Sequence, residues 1–170
     1  MAESGCLDDM NVENLNVNGI ILGAKRPVKL LTPLAGAGNH SPITASESGT
    51  IFLVPAHTGT AGTRNIALPT RANAVGCTYT FVMIDTAAQV FTVTSDGSER
   101  IVALRPKGDG DNTAMGSAGP YTSIGFLAAA VKGSSFSLTC VSVSDNVAWI
   151  AHDVIDGLAL NVGSIAFNAA

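Results

Sequence analysis

The sequence predicts an all-β fold, an antiparallel β-sandwich or jelly-roll-like domain with extended, irregular N- and C-terminal arms. Three observations predict it. Short apolar runs of strand length are separated by turn residues, no helical period is sustained, and bulky side chains alternate with Thr and Ser in the central runs. Seven or eight such runs at this spacing are typical of two packed sheets. A chain of 170 residues is long enough for one domain with a hydrophobic core.

Three regions follow from this pattern. Residues 1–40 form a predicted N-terminal arm, because Asn, Gly and Pro interrupt its apolar clusters, and residues 41–154 form the predicted β-sandwich domain. Residues 155–170 form a C-terminal tail whose apolar residues are interrupted by Gly157 and Gly163. We expect both termini to lie on neighbouring subunits, since exposed apolar tails promote aggregation; the alternative is that both lie on their own domain. The predicted assembly interface consists of Leu15, Val17, Ile20, Ile21, Leu22, Leu30, Leu31, Leu158, Leu160, Val162, Ile165 and Phe167.

The first two strand-like runs are short and bounded by turn residues. Residues 49–56 (GTIFLVPA) are apolar between Gly49 and Pro55. Residues 64–70 (RNIALPT) stop at Pro69, which cannot donate to a ladder and so indicates an edge strand or a strand end.

The central runs, 77–84 and 89–95, alternate most clearly between bulky apolar residues and Thr. We expect the two runs to form a hairpin with one apolar face in its core and a flat Thr face outside. The predicted inward side chains are Tyr79, Phe81, Met83, Phe91 and Val93.

The later runs are separated by one long loop. Residues 100–104 form a predicted strand after an Asp-Gly turn, and residues 105–120 form a loop dense in Gly, Asp and Pro. Residues 121–133 are ambiguous between a strand and a helical turn. Residues 134–144 and 147–154 form predicted strands, the second of which holds the single tryptophan.

The composition favours a subunit that buries much of its surface in an assembly. Charged residues are 13% of the chain and hydrophobic residues 46%, with a net charge of −4. A monomer normally keeps its surface charged and free of large apolar patches. The absence of a basic cluster argues against nucleic acid as a partner, and no run is long enough for a membrane helix. The acidic N-terminus lacks a signal-peptide pattern, so we expect synthesis in a cytosol.

No constellation of residues indicates catalysis or a cofactor. Histidines occur singly in three separate segments, and the three cysteines are widely spaced, so neither metal-ligand spacing nor a disulfide framework is present. We expect reduced thiols, no metal, no cofactor and no enzymatic activity. The residues concerned are His40, His57, His152, Cys6, Cys77 and Cys140.

Two acidic features leave weaker alternatives open. The stretch DGDN at 109–112 begins like a calcium loop, but the positions that would need Gly and a carboxylate hold Ala114 and Pro120. A carboxylate pair for glycoside hydrolysis could come together in space, although nothing in the sequence requires it. The candidates for that pair are Glu47, Asp85, Asp96 and Glu99.

Five stretches follow one another in a recognisable order: a Ser-Gly turn into a strand, an Ile-x-Leu-Pro strand end, a Gly-led aromatic strand, a Thr-rich hairpin and a closing strand with Trp. They are ITASESGTIFLV (43–54), NIALP (65–69), GCTYTFVMI (76–84), FTVTSDGSERI (91–101) and GSSFSLTCVSVSDNVAWIA (133–151). This order resembles the small β-domain proteins that decorate or cement the capsids of tailed bacteriophages. Both termini and the long loop lie outside the resemblance.

The resemblance implies a virion structural protein without catalysis. It would be made in the host cytoplasm and would sit, as a homotrimer, on the outer surface of the capsid. Its partners would be other copies of itself and the major capsid protein, whose lattice it would stabilise. The alternative is a phage tail-fibre, spike or receptor-binding β-module that acts through its exposed loops. A small hydrolase and a different shell subunit are the remaining alternatives.

Overall fold

Two mixed β-sheets dominate the computed structural model, which describes residues 26–33, 38–56, 62–87, 89–96, 99–103, 121–128, 130–141, 147–155 and 165–168. Only 7% of the structure is helical, so the predicted all-β class is confirmed. The two helical elements are a 3₁₀ turn at Ala45–Glu47 and the short helix α1 at Arg71–Ala74. The strands are β1 (Val28–Leu30), β2 (Gly38–Asn39), β3 (Ile51–Val54), β4 (Arg64–Ala67), β5 (Thr78–Met83), β6 (Phe91–Thr94), β7 (Arg100–Ala103), β8 (Ser123–Phe126), β9 (Ser135–Cys140), β10 (Val147–Ile155) and β11 (Ile165–Asn168).

The strand order corrects the prediction of an antiparallel fold. The six-stranded sheet has the order β1-β3-β5-β9-β10-β7, and the five-stranded sheet has the order β11-β8-β6-β4-β2. The ladders β1–β3, β3–β5, β2–β4, β4–β6 and β7–β10 are parallel. The other four ladders, β5–β9, β9–β10, β6–β8 and β8–β11, are antiparallel. The antiparallel prediction is therefore wrong for the whole stretch from β1 to β6.

The chain winds between the two sheets from β1 to β6. Each odd-numbered strand lies in the six-stranded sheet and each even-numbered strand in the other, so that one coil contributes one strand to each sheet. Val28 pairs with Ile51, and Ile51 pairs with Thr80. One coil therefore takes about 23 to 29 residues, as in proteins whose repeats contact only their neighbours.

The predicted hairpin between residues 77–84 and 89–95 is wrong for the same reason. The two runs form β5 and β6, which lie in different sheets. Alternation with period two shows which face of a strand is buried, but it does not show which strand lies beside it.

Two glycines allow the chain to turn into strands of the six-stranded sheet. Gly49 and Gly76 each lie two residues before a strand, β3 and β5 respectively, and have φ angles of +86° and +82°. A side chain at such angles is strained, whereas Gly adopts them readily.

The core lies on the facing sides of the two sheets. All five side chains predicted to point inward are at most 1% exposed, which confirms the inward phase of β5 and β6. The predicted outer face is wrong at Thr92 of β6, which is 5% exposed and therefore also buried. Four rings join the sheets. Within the six-stranded sheet, the ring centroids of Phe81 and Phe136 are 5.2 Å apart. Across the two sheets, the centroid of Phe81 lies 6.3 Å from that of Phe91, and the centroid of Phe136 lies 5.1 Å from that of Phe126. Each such ring stabilises the fold by about 1.5–3 kcal/mol through burial.

A buried carboxylate links α1 to β10. Glu99 is 2% exposed, accepts a 2.6 Å hydrogen bond from the backbone N–H of Arg71, and accepts a 3.2 Å bond from the indole N–H of Trp149. Because a buried carboxylate is costly unless it is hydrogen-bonded, these two donors fix its place.

Strands also occur within the predicted arm and tail. β1 and β2 belong to residues 1–40, and each pairs with a strand of the predicted domain. β11 belongs to residues 155–170 and pairs with β8, with Phe167 opposite Ile124. Both ends of the described chain thus add edge strands to the sheets.

Candidate functional site

The edge strand β1 directs hydrogen-bonding groups away from the sheet. The carbonyl of Pro27 accepts a 2.8 Å bond from Ile51, and the N–H of Leu31 donates a 3.0 Å bond to Leu53. Alternate residues of a strand direct their N–H and C=O groups to opposite sides. The backbone groups of Val28 and Leu30 therefore point away from β3, where another strand could pair with them.

The same two residues begin an aliphatic patch on the outer face of the six-stranded sheet. Val28 and Leu30 are 60% and 59% exposed. Ile51 and Leu53 of β3 are their register partners, and Val82 of β5 is the register partner of Leu53. These three side chains are half-buried. Five aliphatic side chains on three neighbouring strands thus form one continuous surface, hereafter the aliphatic patch.

Lys29 lies on the opposite face of β1 and is held there. Its Nζ forms a 2.7 Å ion pair with Glu47 and lies 5.8 Å from the ring centroid of Phe52. Burial acts to raise the pKa of Glu47, but hydrogen bonds from Lys29 and Thr44 outweigh it and lower that pKa below its ordinary value. A lysine on an edge strand normally discourages pairing. Here the side chain of Lys29 remains 52% exposed, but its charge is paired with that of Glu47, which weakens this protection of the edge.

A band of hydroxyl groups lies beside the aliphatic patch. Thr78 and Thr139 have their Oγ1 atoms 2.9 Å apart, and Thr80 bonds Ser137 across the same β5–β9 ladder at 2.9 Å. Arg26 donates from Nη2 to Thr80 at 2.8 Å. Of the Thr face predicted from the sequence, Thr78 and Thr80 therefore form cross-strand pairs with β9, each of which stabilises the sheet modestly. Thr92 and Thr94 lie on β6 in the other sheet, so the predicted single face is wrong.

The hydroxyl band ends in an imidazole and a carboxylate. Thr139 Oγ1 lies 2.8 Å from His152 Nε2, and His152 Nδ1 lies 2.8 Å from Asp153 Oδ2. Asp153 has a φ of +51° at a bulge in β10. Hydroxyl, imidazole and carboxylate in this order can pass a proton, as nucleophilic enzymes require. However, Asp153 is 75% exposed and Thr139 also bonds Thr78, so the simplest role is to tie β9 to β10.

Other acidic and metal-ligating residues do not gather into a recognisable centre. Within the part of the chain that the structure describes, no group of three or more His, Cys, Asp or Glu could hold a metal ion. Glu47 pairs with Lys29, and Glu99 is occupied by Arg71 and Trp149. The loop at 105–120, His57 and Cys6 lie outside the described residues.

The predicted interface residues fall into four groups. Leu30 is exposed on the edge strand, whereas Leu31 is 4% exposed and lies in the core. Ile165 and Phe167 belong to β11, opposite Phe126 and Ile124 of β8. The remaining residues lie outside the described chain, and their role stays a prediction. They are Leu15, Val17, Ile20, Ile21, Leu22, Leu158, Leu160 and Val162.

Sequence reasoning missed most of the aliphatic patch. Ile51, Leu53 and Val82 look like ordinary strand residues, and only the register between β1, β3 and β5 brings them together. The only signal available in the sequence was that aliphatic residues occupy the outward phase of the runs that form β3 and β5.

Comparisons with known proteins leave the site to be interpreted from its own chemistry. Neither protein-family models nor curated protein sequences gave a match to this chain. Among the described residues, no helix has both the length and the apolar character that crossing a membrane would require.

Proposed function

We propose that the chain is a structural subunit of the capsid-decoration type, which docks on an assembled protein shell and stabilises it without catalysis. The observation that carries the proposal is the aliphatic patch beside the edge of β1, which pairs with no strand other than β3 among the residues that the structure describes. A surface of this kind favours association, because it joins backbone hydrogen bonds to apolar burial. The low charge of the chain and its resemblance to phage decoration proteins support the same function.

In this proposal the two sheets form a β-sandwich whose outer face and edge meet the partners. The partners are the major capsid protein and further copies of the chain, arranged as a trimer on the outer surface of the virion. Each bound subunit would stabilise the assembled shell by mass action, since it binds the assembled state in preference to its parts.

The test uses the full chain and the double variant Val28→Asp/Leu30→Asp. Both side chains are exposed, so the fold should be retained, whereas two carboxylates at the edge would make docking unfavourable. Sedimentation with expanded shells of the phage that encodes the chain measures docking. We expect the double variant to lose at least about tenfold in affinity, which corresponds to about 1.4 kcal/mol.

Val75→Asp/Val141→Asp is the matched control. Val75 and Val141 are 51% and 45% exposed and lie outside the aliphatic patch, so their replacement adds the same two charges elsewhere. Equal loss in both variants would show a general charge effect and contradict the assigned surface. If the parent chain does not bind shells but binds host cells, the function is receptor recognition and the proposal is wrong.

A further inference from the structure

Cys77 and Cys140 stand directly opposite each other where β5 meets β9. Their neighbours Thr78 and Thr139 are register partners in this antiparallel ladder. The N–H of Cys140 donates a 3.0 Å bond to the carbonyl of Cys77. The two cysteines are 63 positions apart in the sequence, and only the ladder brings them together.

Both side chains point to the interior side of the sheet. Cys140 is 1% exposed, and Cys77 is partly buried and packs against the core. Tyr79, the next inward residue on β5, is fully buried, which fixes the same phase for Cys77. Both cysteines carry reduced sulfur in the structure.

The backbone spacing of this pair suits a disulfide. Opposite residues of an antiparallel ladder have Cα atoms about 5.5 Å apart where they exchange both hydrogen bonds and about 4.5 Å apart where they exchange none. Disulfides join Cα atoms about 4.4–6.8 Å apart, a range that covers both spacings. Opposite Cβ atoms in a sheet are about 4.5–5.5 Å apart, slightly more than a disulfide needs. Closure to the mean Cβ spacing of a disulfide, about 3.8 Å, would therefore take about 0.7–1.7 Å.

A bulge provides the freedom for that closure. The N–H of Gly76 donates a 2.9 Å bond to the carbonyl of Cys140, so Gly76 and Cys77 both oppose that one residue. Gly76 has a φ of +82°, the conformation of a glycine bulge, where the strand twists more strongly. The thiol of Cys77 donates a weak hydrogen bond to the carbonyl of Ala45, with its sulfur 3.7 Å from that oxygen.

We propose that Cys77 and Cys140 are an oxidisable pair that closes into a disulfide when the chain meets a small-molecule disulfide. The thiolate of the more accessible Cys77 attacks one sulfur of the reagent and releases its other half as a thiolate. The sulfur of Cys140, after losing its proton to water, then attacks Cys77 and releases the second half of the reagent. One S–S bond forms in the protein, one breaks in the reagent, and the two electrons pass to the reagent, which leaves as two thiols.

The test treats the full chain, carrying Cys6→Ser to remove the third thiol, with hydroxyethyl disulfide under native conditions. We expect the final product to be lighter by two hydrogens and to contain a peptide linked through Cys77 and Cys140. Closure should be at least about tenfold faster in the folded chain than in guanidinium, because the fold raises the effective concentration of the partner thiol. The oxidised chain should also unfold at a higher guanidinium concentration than the reduced chain.

Two variants separate the steps. Cys140→Ser should stop at a stable reagent adduct on Cys77, and Cys77→Ser should resist the reagent because Cys140 is buried. A persistent adduct in the parent chain, closure no faster than in guanidinium, or links only between separate molecules would each overturn the proposal. The peptide map of the parent chain decides the matter even if one of the two variants fails to fold.

Discussion

The wound half of the chain, β1 to β6, and the returning half, β7 to β11, share the same two sheets but connect their strands differently. Within the wound half every ladder is parallel and joins strands one coil apart. The returning half joins it through two antiparallel ladders, β5–β9 and β6–β8, hereafter the seam. The wound half leaves β1 and β2 as outer edges, whereas His152 belongs to β10 and Glu99 directly precedes β7. The aliphatic patch therefore lies in the wound half, whereas Glu99 joins Arg71 of the wound half to Trp149 of the returning half.

Replacing a ring at the seam should have the largest effect. Phe81→Ala removes stacking with Phe52 and Phe136, both at 5.2 Å, and the contact with Phe91. We expect a loss of about 3–5 kcal/mol in the free energy of unfolding, since a fully buried Phe leaves a cavity. Guanidinium unfolding followed by Trp149 fluorescence measures it. Val82→Ala, next along β5 but on the outer face, should cost far less, and equal losses would refute the importance of the seam.

A close approach within the seam gives the second prediction. Gly125 of β8 lies so close to β6 that an added Cβ would overlap the carbonyl oxygen of Phe91 and the Cα of Thr92. Because backbone cannot rotate away as a side chain can, Gly125→Ala should cost about 3 kcal/mol or abolish folding. Thermal unfolding compares it with Thr122→Ala, a half-exposed position just before β8. If both variants unfold together, β6 and β8 are not in this register.

Removing the buried carboxylate should have a smaller effect. Glu99→Ala leaves the indole of Trp149 and the N–H of Arg71 without their acceptor, at a cost of about 1.5–3 kcal/mol. Glu99→Gln retains one carbonyl oxygen and should lose less. Urea unfolding of the two variants compares the loss of both bonds with the retention of one acceptor oxygen. If Glu99→Gln is as damaging as Glu99→Ala, the carboxylate acts through its charge rather than as an acceptor.

The smallest effect expected is a pH dependence in the wound half. Burial, with Lys29 nearby, lowers the pKa of His40 below its ordinary 6.5. As the pH falls, the unfolded chain therefore binds a proton at His40 before the folded chain does. The free energy of unfolding that neutral His40 contributes is present at neutral pH and is lost as the pH falls below about 6.5. His40→Gln should flatten this part of a plot of unfolding midpoint against pH. His152→Gln is the control in the returning half, and an unchanged slope in His40→Gln would contradict the assignment.

The sequence predicted most strands of residues 41–154, missed β1, β2 and β11 in the predicted arm and tail, and predicted strand partners poorly. Phe81 and Phe91 were placed inward correctly, because alternation reports burial directly. Their presence in different sheets was missed, because a parallel and an antiparallel neighbour leave the same period-two pattern. Of the aliphatic patch, only Leu30 was among the predicted interface residues. Val28 and Val82 belong to the aliphatic patch because of the register between β1, β3 and β5, and a single sequence does not contain that register.

The winding also determines which contacts can form early during folding. Among the described strands, β9 and β10 are the only two that follow one another in the chain and pair with one another. Every other ladder must close a longer loop before it gains any contact, and such closure slows folding. The β9–β10 hairpin, near the C-terminal end, is thus the local starting point, and the coils from β6 back to β1 can be laid against it in turn. During synthesis the ribosome releases β1 to β6 before the β9–β10 hairpin. The wound half therefore leaves the ribosome before the strands that it pairs with at the seam.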